Sequence, residues 1–326
     1  MDLSDWELRY SHLRAARDAD QAERRAMLSG AASIEDSAFD ERISGEVDDE
    51  AVQFGGDTPE WDKREAASER IVGAALEQIE YRVASLGSGY PFLIDGGGLK
   101  YRGSATGVYE ICLATSLSPT AKVSSLPKPT VVFEWIARDI LKLYLGPGSM
   151  GFRTGWPSHR LERRERGPAR LFSQLHGLCN EFAWHPKSYL PTNPKPRDLK
   201  DAGLDVVVWK PFGDRRACSM FVLGQCACGW TDWENKFGDL CLKRLAAWFE
   251  GPTFAEPMRC FFVPFNIPND AHLKHVAEFA GVPIDRTRIV MLAEENADSV
   301  ASVKKNALVD YRKMAFAIAE THEVAN

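Results

Sequence analysis

The sequence predicts an α/β chain, an α+β arrangement in which a mixed sheet carries helices on both faces. Three observations point there. The second half reads helix, hairpin, helix, strand, helix, strand, which favours a sheet covered by helices over a bundle or a sandwich. A segment from Gly203 to Cys228, GLDVVVWKPFGDRRACSMFVLGQCAC, contains two apolar runs joined by a polar turn, as a hairpin requires. The 326 residues are 44% hydrophobic and 26% charged, the balance of an ordinary globular protein long enough to bury a sizeable core.

In chain order, residues 4–28 have helical composition, with Trp6, Tyr10, Leu13 and Ala16 at helical spacing. Residues 29–60 are rich in Gly, Ala, Ser and acids and read as a linker. A second helix is expected from Trp61 to Leu86, with a stripe of Ile71, Ala75, Ile79 and Val83 and a stop at Gly87. Asp95-Gly96-Gly97-Gly98 reads as a flexible turn; it lacks the lysine and Ser/Thr spacing of a phosphate-binding loop. VYEICLATSL suits a strand or a short buried helix. PTVVFEWIARDILKLYLGPG reads as a helix with Phe133, Ile136, Ala137, Ile140, Leu141 and Tyr144 on one face, Glu134 in its first turn and Gly146-Pro147-Gly148 as its stop. A further helix is expected over 169–183, then a proline-rich loop, the hairpin and another helix. MRCFFVPF and RIVMLAE read as strands flanking the helix NDAHLKHVAEFAGV, which Asn269 or Asp270 would cap and Gly281 would end. The C-terminal stretch from Asp298 to Glu323 reads as one helix.

Composition narrows the function classes. No run of eighteen apolar residues suggests a membrane span, and the polar N-terminus does not resemble a secretory signal. Seven scattered cysteines argue against a disulfide framework and for a reducing cytoplasm. The net charge is −6, with acids concentrated in residues 1–60, so charge alone makes no case for a nucleic-acid partner.

The chemistry concentrates on the hairpin. Asp205 opens its first strand and Gln225 closes its second, ten residues either side of a turn centred near Arg215. An antiparallel pair folded there sets the two side by side on one face. A carboxylate beside an amide oxygen offers two hard donors for Mg²⁺ or Mn²⁺, and such an ion activates water and stabilises charge on a phosphate. Lys236, beyond the second strand, is within reach of the same site if a helix begins near Trp230. The plain alternatives are that Asp205 terminates a strand and that Gln225 satisfies a neighbouring backbone group. Cys226 and Cys228 lack the paired knuckle spacing of a zinc site, and His272, His275 and Glu278 fit an exposed helix face better than a metal site. Six arginines between residues 151 and 170, among them Arg153, Arg160, Arg163 and Arg164, together with Lys195, Arg197 and Lys200, could grip a phosphate backbone.

An acid on one strand, an acid or glutamine followed by a lysine on the next, and a glutamate on a preceding helix together resemble the PD-(D/E)XK nucleases, the restriction-endonuclease-like proteins of bacterial defence systems. The resemblance covers roughly residues 130–295. It implies a restriction-endonuclease-like core, here set at 131–326; it says nothing of residues 1–90, and composition gives an acidic helical arm and linker over 1–60 and a helical/strand accessory region over 61–130. It further implies Mg²⁺ or Mn²⁺ held by Asp205, Gln225 and Glu134, with Lys236 as the catalytic lysine, and DNA or RNA as the substrate. A protein partner in a multi-component anti-phage system, or a second copy of the chain, would complete it. The family's lysine falls at position 227, which is alanine here. Some members carry it on the adjoining helix, which is where Lys236 is expected. The alternative is a nuclease fold that has lost catalysis and binds nucleic acid or scaffolds a defence complex.

Overall fold

The computed structural model describes residues 3–34, 60–124, 126–154, 185–186, 203–214, 219–243, 249–250, 256–301 and 310–323. Two long helices lead, α1 (Leu3–Ser29) and α2 (Glu60–Leu86). Between and after them a small antiparallel sheet forms from β1 (Ala31–Ser33), β2 (Phe92–Asp95) and β3 (Gly98–Tyr101), in the order β1-β3-β2. Gly96 and Gly97, both at positive φ, make the β2–β3 turn. VYEICLATSL resolves as a helix, α3 (Val108–Leu117), buried along nearly its whole length.

Helix α4 (Pro129–Leu145) begins with proline, whose missing N–H costs nothing in a first turn, and ends at Gly146, where φ is 85°. The main sheet follows. It comprises β4 (Met150–Arg153), β6 (Val206–Lys210), β7 (Met220–Cys226), β9 (Met258–Phe262) and β10 (Val282–Ile284), in the order β10-β9-β7-β6-β4. The β4–β6 and β6–β7 pairs are antiparallel, and β7–β9 and β9–β10 are parallel, so the sheet is mixed. A short pair, β5 (His185–Pro186) with β8 (Phe249–Glu250), stands apart from it. Helices α5 (Asp270–Phe279), α6 (Arg286–Glu295) and α7 (Tyr311–Glu323) complete the described elements.

The fold is thus mixed α and β. One apolar core joins α1, α3, α4, α6 and α7 to one face of the main sheet through Val206, Val208, Val222, Cys260 and Phe262. A second core lies on the other face, where Ala227, Trp233, Phe261 and Phe265 pack with Val276 of α5. Gly224 allows the first contact, because an added Cβ would collide with Val206.

RIVMLAE is helix, not strand: it lies within α6, which Asp285 caps by accepting a hydrogen bond from the Arg288 N–H. The extended segment at this point is the three-residue β10 just before it. Asn269 caps α5 as expected, accepting from the His272 N–H.

Buried charge ties the N-terminal helices to this body. Arg286 of α6 makes two hydrogen bonds to Asp20 of α1, at 2.9 and 2.8 Å, and a third to Ser116 of α3 at 3.0 Å. Arg82 of α2 pairs with Glu23 at 2.7 Å and with Asp20 at 2.9 Å. Tyr90 and Tyr109 donate their hydroxyls to the two oxygens of Glu23. The four charged side chains are at most 2% exposed.

Candidate functional site

The hairpin register is the one the turn centre implies. Val206 pairs with Gly224 and Lys210 with Met220, and the ladder ends there, leaving Asp205 and Gln225 just past its last pair. Gly203, at φ 76°, brings the chain to this point; a Cβ there would lie 2.6 Å from the Asp239 carbonyl. The Asp205 N–H donates to the Gly224 carbonyl at 3.0 Å, and its own carbonyl accepts from the Thr154 N–H at 2.7 Å. Asp205 is therefore held from both neighbouring strands just beyond the end of β6.

Its carboxylate reaches across the ladder. Oδ2 accepts the Cys226 N–H at 2.7 Å, a side-chain bond beyond the last backbone pair, Val206 with Gly224. Gln225 is 3% exposed, and its amide nitrogen donates to the Lys236 carbonyl at 2.7 Å. That bond explains why position 225 carries an amide: a carboxylate would meet the Lys236 carbonyl oxygen with no hydrogen to share. It also fixes the amide so that Oε1 is the end turned away from Lys236. The plain roles of both residues, a strand terminus and a satisfied backbone group, are thus realised.

Lys236 lies in a single 3₁₀ turn, Glu234–Lys236, where an α-helix is expected from the sequence. Its side chain is 34% exposed, and its ammonium lies 3.9 Å from Asp232. Ala227 is fully buried within the second core.

Glu134 comes to the same end of the sheet from the other side. It projects from α4, which packs on the face bearing Val206 and Val222, whereas strand alternation sends Gln225 and Ala227 to the opposite face. There Glu134 forms an ion pair with Nε of Arg153. Arg153 ends β4 opposite Val206, one ladder step from Asp205, and its side chain is fully buried. Arg153 therefore does not offer a phosphate-gripping surface: its guanidinium is interior.

Cys226 and Cys228 sit among these charges. Burial pushes both thiols well above their ordinary range, and the charges of Asp205 and Glu134 push both the same way. Arg153 opposes the rise at Cys226, and Lys236 opposes it at Cys228. Asp205, Glu134, Arg153 and Lys236 are thus the side-chain charges that bear on these two thiols.

Thiols so placed are poor nucleophiles. Cys112 and Cys260 are likewise pushed up by burial, to about 12. These four cysteines are expected to resist a disulfide reagent at pH 8 until the chain is unfolded. A folded-state pKa above the unfolded one gives stability that is intact below the unfolded thiol's value, near 9, and is lost as pH rises toward about 12. Denaturant midpoints measured between pH 8 and 11 should therefore fall with rising pH.

The other sequence candidates separate from this site. His272 is buried, with its ring Nδ1 2.8 Å from the Asn269 oxygen, and His275 stacks against Phe237 and Phe279. Arg160, Arg163, Arg164, Lys195, Arg197 and Lys200 lie outside the described residues, as does the helix expected over 169–183. Among the described residues no three His, Cys, Asp or Glu side chains form a group able to hold a metal, so any cation here would rely on the Gln225 amide as well. No described helix is long and apolar enough to cross a membrane. The Arg153–Glu134 pair escapes the sequence, where Arg153 reads as one more member of a basic run. No protein-family model, curated protein or solved structure matches the chain.

Proposed function

We propose that the protein is a metal-dependent nuclease that hydrolyses phosphodiester bonds of DNA, serving bacterial anti-phage defence. The observation that carries the reading is that Asp205 and Gln225 both stand just past the last pair of the β6–β7 ladder, with Gln225 bonded to the backbone of Lys236. The order α4, β4, β6, β7, β9, with its antiparallel hairpin and parallel fourth strand, supports it as well.

The donors suit a hard divalent cation in kind. Mg²⁺ is commonly held by one or two carboxylates, with waters and substrate phosphate completing its shell. Asp205 would give the carboxylate and Gln225 the amide oxygen. When bound, Mg²⁺ or Mn²⁺ would lower the pKa of a water and stabilise charge on the phosphate. The rest falls to the chain itself. The Cys226 N–H orients the Asp205 carboxylate, the Lys236 carbonyl orients the Gln225 amide, and the part-exposed Lys236 ammonium neutralises an incoming phosphate. DNA contact beyond the scissile group falls to the basic segment that includes Arg160, Arg163, Arg164, Lys195, Arg197 and Lys200.

A second reading, a catalytically silent nuclease fold that binds nucleic acid or scaffolds a complex, is favoured by the buried Ala227 at the family's lysine position and by the Arg153 that already neutralises Glu134. Purified protein incubated with plasmid, linear DNA and RNA separates the two. Cleavage that requires Mg²⁺ or Mn²⁺ and stops with EDTA is the expected result. Binding without cleavage under every metal condition would establish the silent reading instead.

A further inference from the structure

A cavity of about 370 Å³ opens between α3, α4, α7 and the chain just past α6, a volume in the range of small-molecule sites. Val108 of α3, Ile136 and Ile140 of α4 and Tyr311 of α7 line it, all of them buried, with Leu143 and Val300 beside them. Among the described residues that line it, Asp139 is the one acid, its side chain 16% exposed. Its carboxylate accepts hydrogen bonds from Arg138 at 2.8 and 2.9 Å, which uses two of its roughly four acceptor positions. Burial pushes the Tyr311 phenol above its ordinary value, and the Asp139 carboxylate pushes it the same way, while Arg138 opposes the rise. A carboxylate paired with a guanidinium offers acceptors only. A ligand end lodged against Asp139 must therefore bring hydrogens, and an anionic end would meet like charge. Lys142 also lines the cavity, but it lies in the last turn of α4, where a cation complements the helix's terminal carbonyls.

We propose that this cavity binds a small apolar molecule bearing an amine or amidine, its cationic end on Asp139 and its body against Ile136, Ile140 and Tyr311. The apolar lining supplies the affinity and the single carboxylate fixes the orientation, the division of labour usual in small-molecule sites. The occupant touches α3, α4 and α7 at once. The site is independent of the nuclease reading, since no residue of the β6–β7 hairpin is among the described residues that line it.

The test titrates benzamidine, benzyl alcohol and benzoate, which share a ring and differ in the end group, into the full chain by saturation-transfer NMR. Benzamidine is expected to bind in the millimolar range, as suits so small a ligand. It should bind about tenfold tighter than benzyl alcohol, because charge-assisted hydrogen bonds are the stronger ones, and benzoate should not bind. Asp139→Asn should weaken benzamidine about tenfold and bring it level with benzyl alcohol. Leu143→Trp should weaken both by narrowing the cavity, and Ser299→Trp, at an exposed lining position, does the same if Leu143→Trp does not fold. Lys142→Met should leave benzamidine binding unchanged. The proposal is overturned by benzoate binding as well as benzamidine, by benzamidine binding that Asp139→Asn or the tryptophan variants leave untouched, or by no benzamidine binding up to about 10 mM.

Discussion

Asp205→Asn is expected to abolish metal-dependent cleavage while leaving the fold intact. The substitution separates the two roles of this residue. Asparagine keeps an oxygen that can accept the Cys226 N–H, now at 2.7 Å, so the side-chain bond beyond the β6–β7 ladder is retained. What is lost is the negative charge, the only full charge in a donor set that otherwise offers an amide. Even residues that merely support a metal ligand cost 10- to 100-fold when replaced, so the loss here should reach at least about 100-fold in both Mn²⁺ affinity and cleavage rate. Circular dichroism and denaturant midpoint should stay close to wild type. If cleavage persists in Asp205→Asn, the chemistry lies elsewhere. A collapse of the fold together with cleavage would assign Asp205 to the strand end alone.

The largest expected effect on stability is at Arg286. Arg286→Met leaves Asp20 buried with one of its two arginine partners gone, and it removes further hydrogen bonds to Ser116 and to the Pro264 carbonyl. Removing one partner of a buried ion pair strands an uncompensated charge and typically costs about 3–5 kcal/mol. Arg286 lies at the start of α6 and Asp20 in the middle of α1, so the loss should loosen the N-terminal helices first. Burial alone would raise the carboxyl of Asp20, but Arg286 and Arg82 outweigh it and hold the group below its usual value of 3.8. The stability from that lowered value is full above the unfolded carboxyl's pKa and is lost as pH falls through the folded one, below about 3.8. Urea unfolding of wild type and Arg286→Met at pH 7 and at acid pH checks both statements. A difference under about 1 kcal/mol at pH 7 would mean the network is not what joins α1 to α6.

The sequence exposes those parts of the fold that a local pattern determines. Helices α1 and α2 are legible because their apolar residues recur at helical spacing, and α4 because its stripe ends on a glycine. The hairpin register from Val206–Gly224 to Lys210–Met220 is legible because side-chain period and turn centre together fix which residues face each other. RIVMLAE misleads because a short apolar run looks alike as a buried strand and as a buried helix; the cap at Asp285 is the signal that separates them. Lys236 is placed near the right strand but on a 3₁₀ turn, since nothing in Gly229 to Lys236 fixes a helix of useful length. Long-range charge pairing is the least legible. Arg153 reads as surface and is interior, and Asp20 and Glu23 read as part of an acidic arm yet are buried against Arg82 and Arg286. No sequence period announces a partner on another element.

The most direct test of the central claim is to map the metal itself. Fe²⁺ substituted for Mg²⁺, with ascorbate and peroxide, generates radicals that cut the polypeptide beside the bound ion. Cuts are expected next to Asp205 and next to Gln225, suppressed by excess Mg²⁺ and absent from Asp205→Asn. A chain that stays whole around these two residues, or is cut only at sites unaffected by Asp205→Asn, would contradict the assignment of a divalent-cation site to the end of β6 and β7.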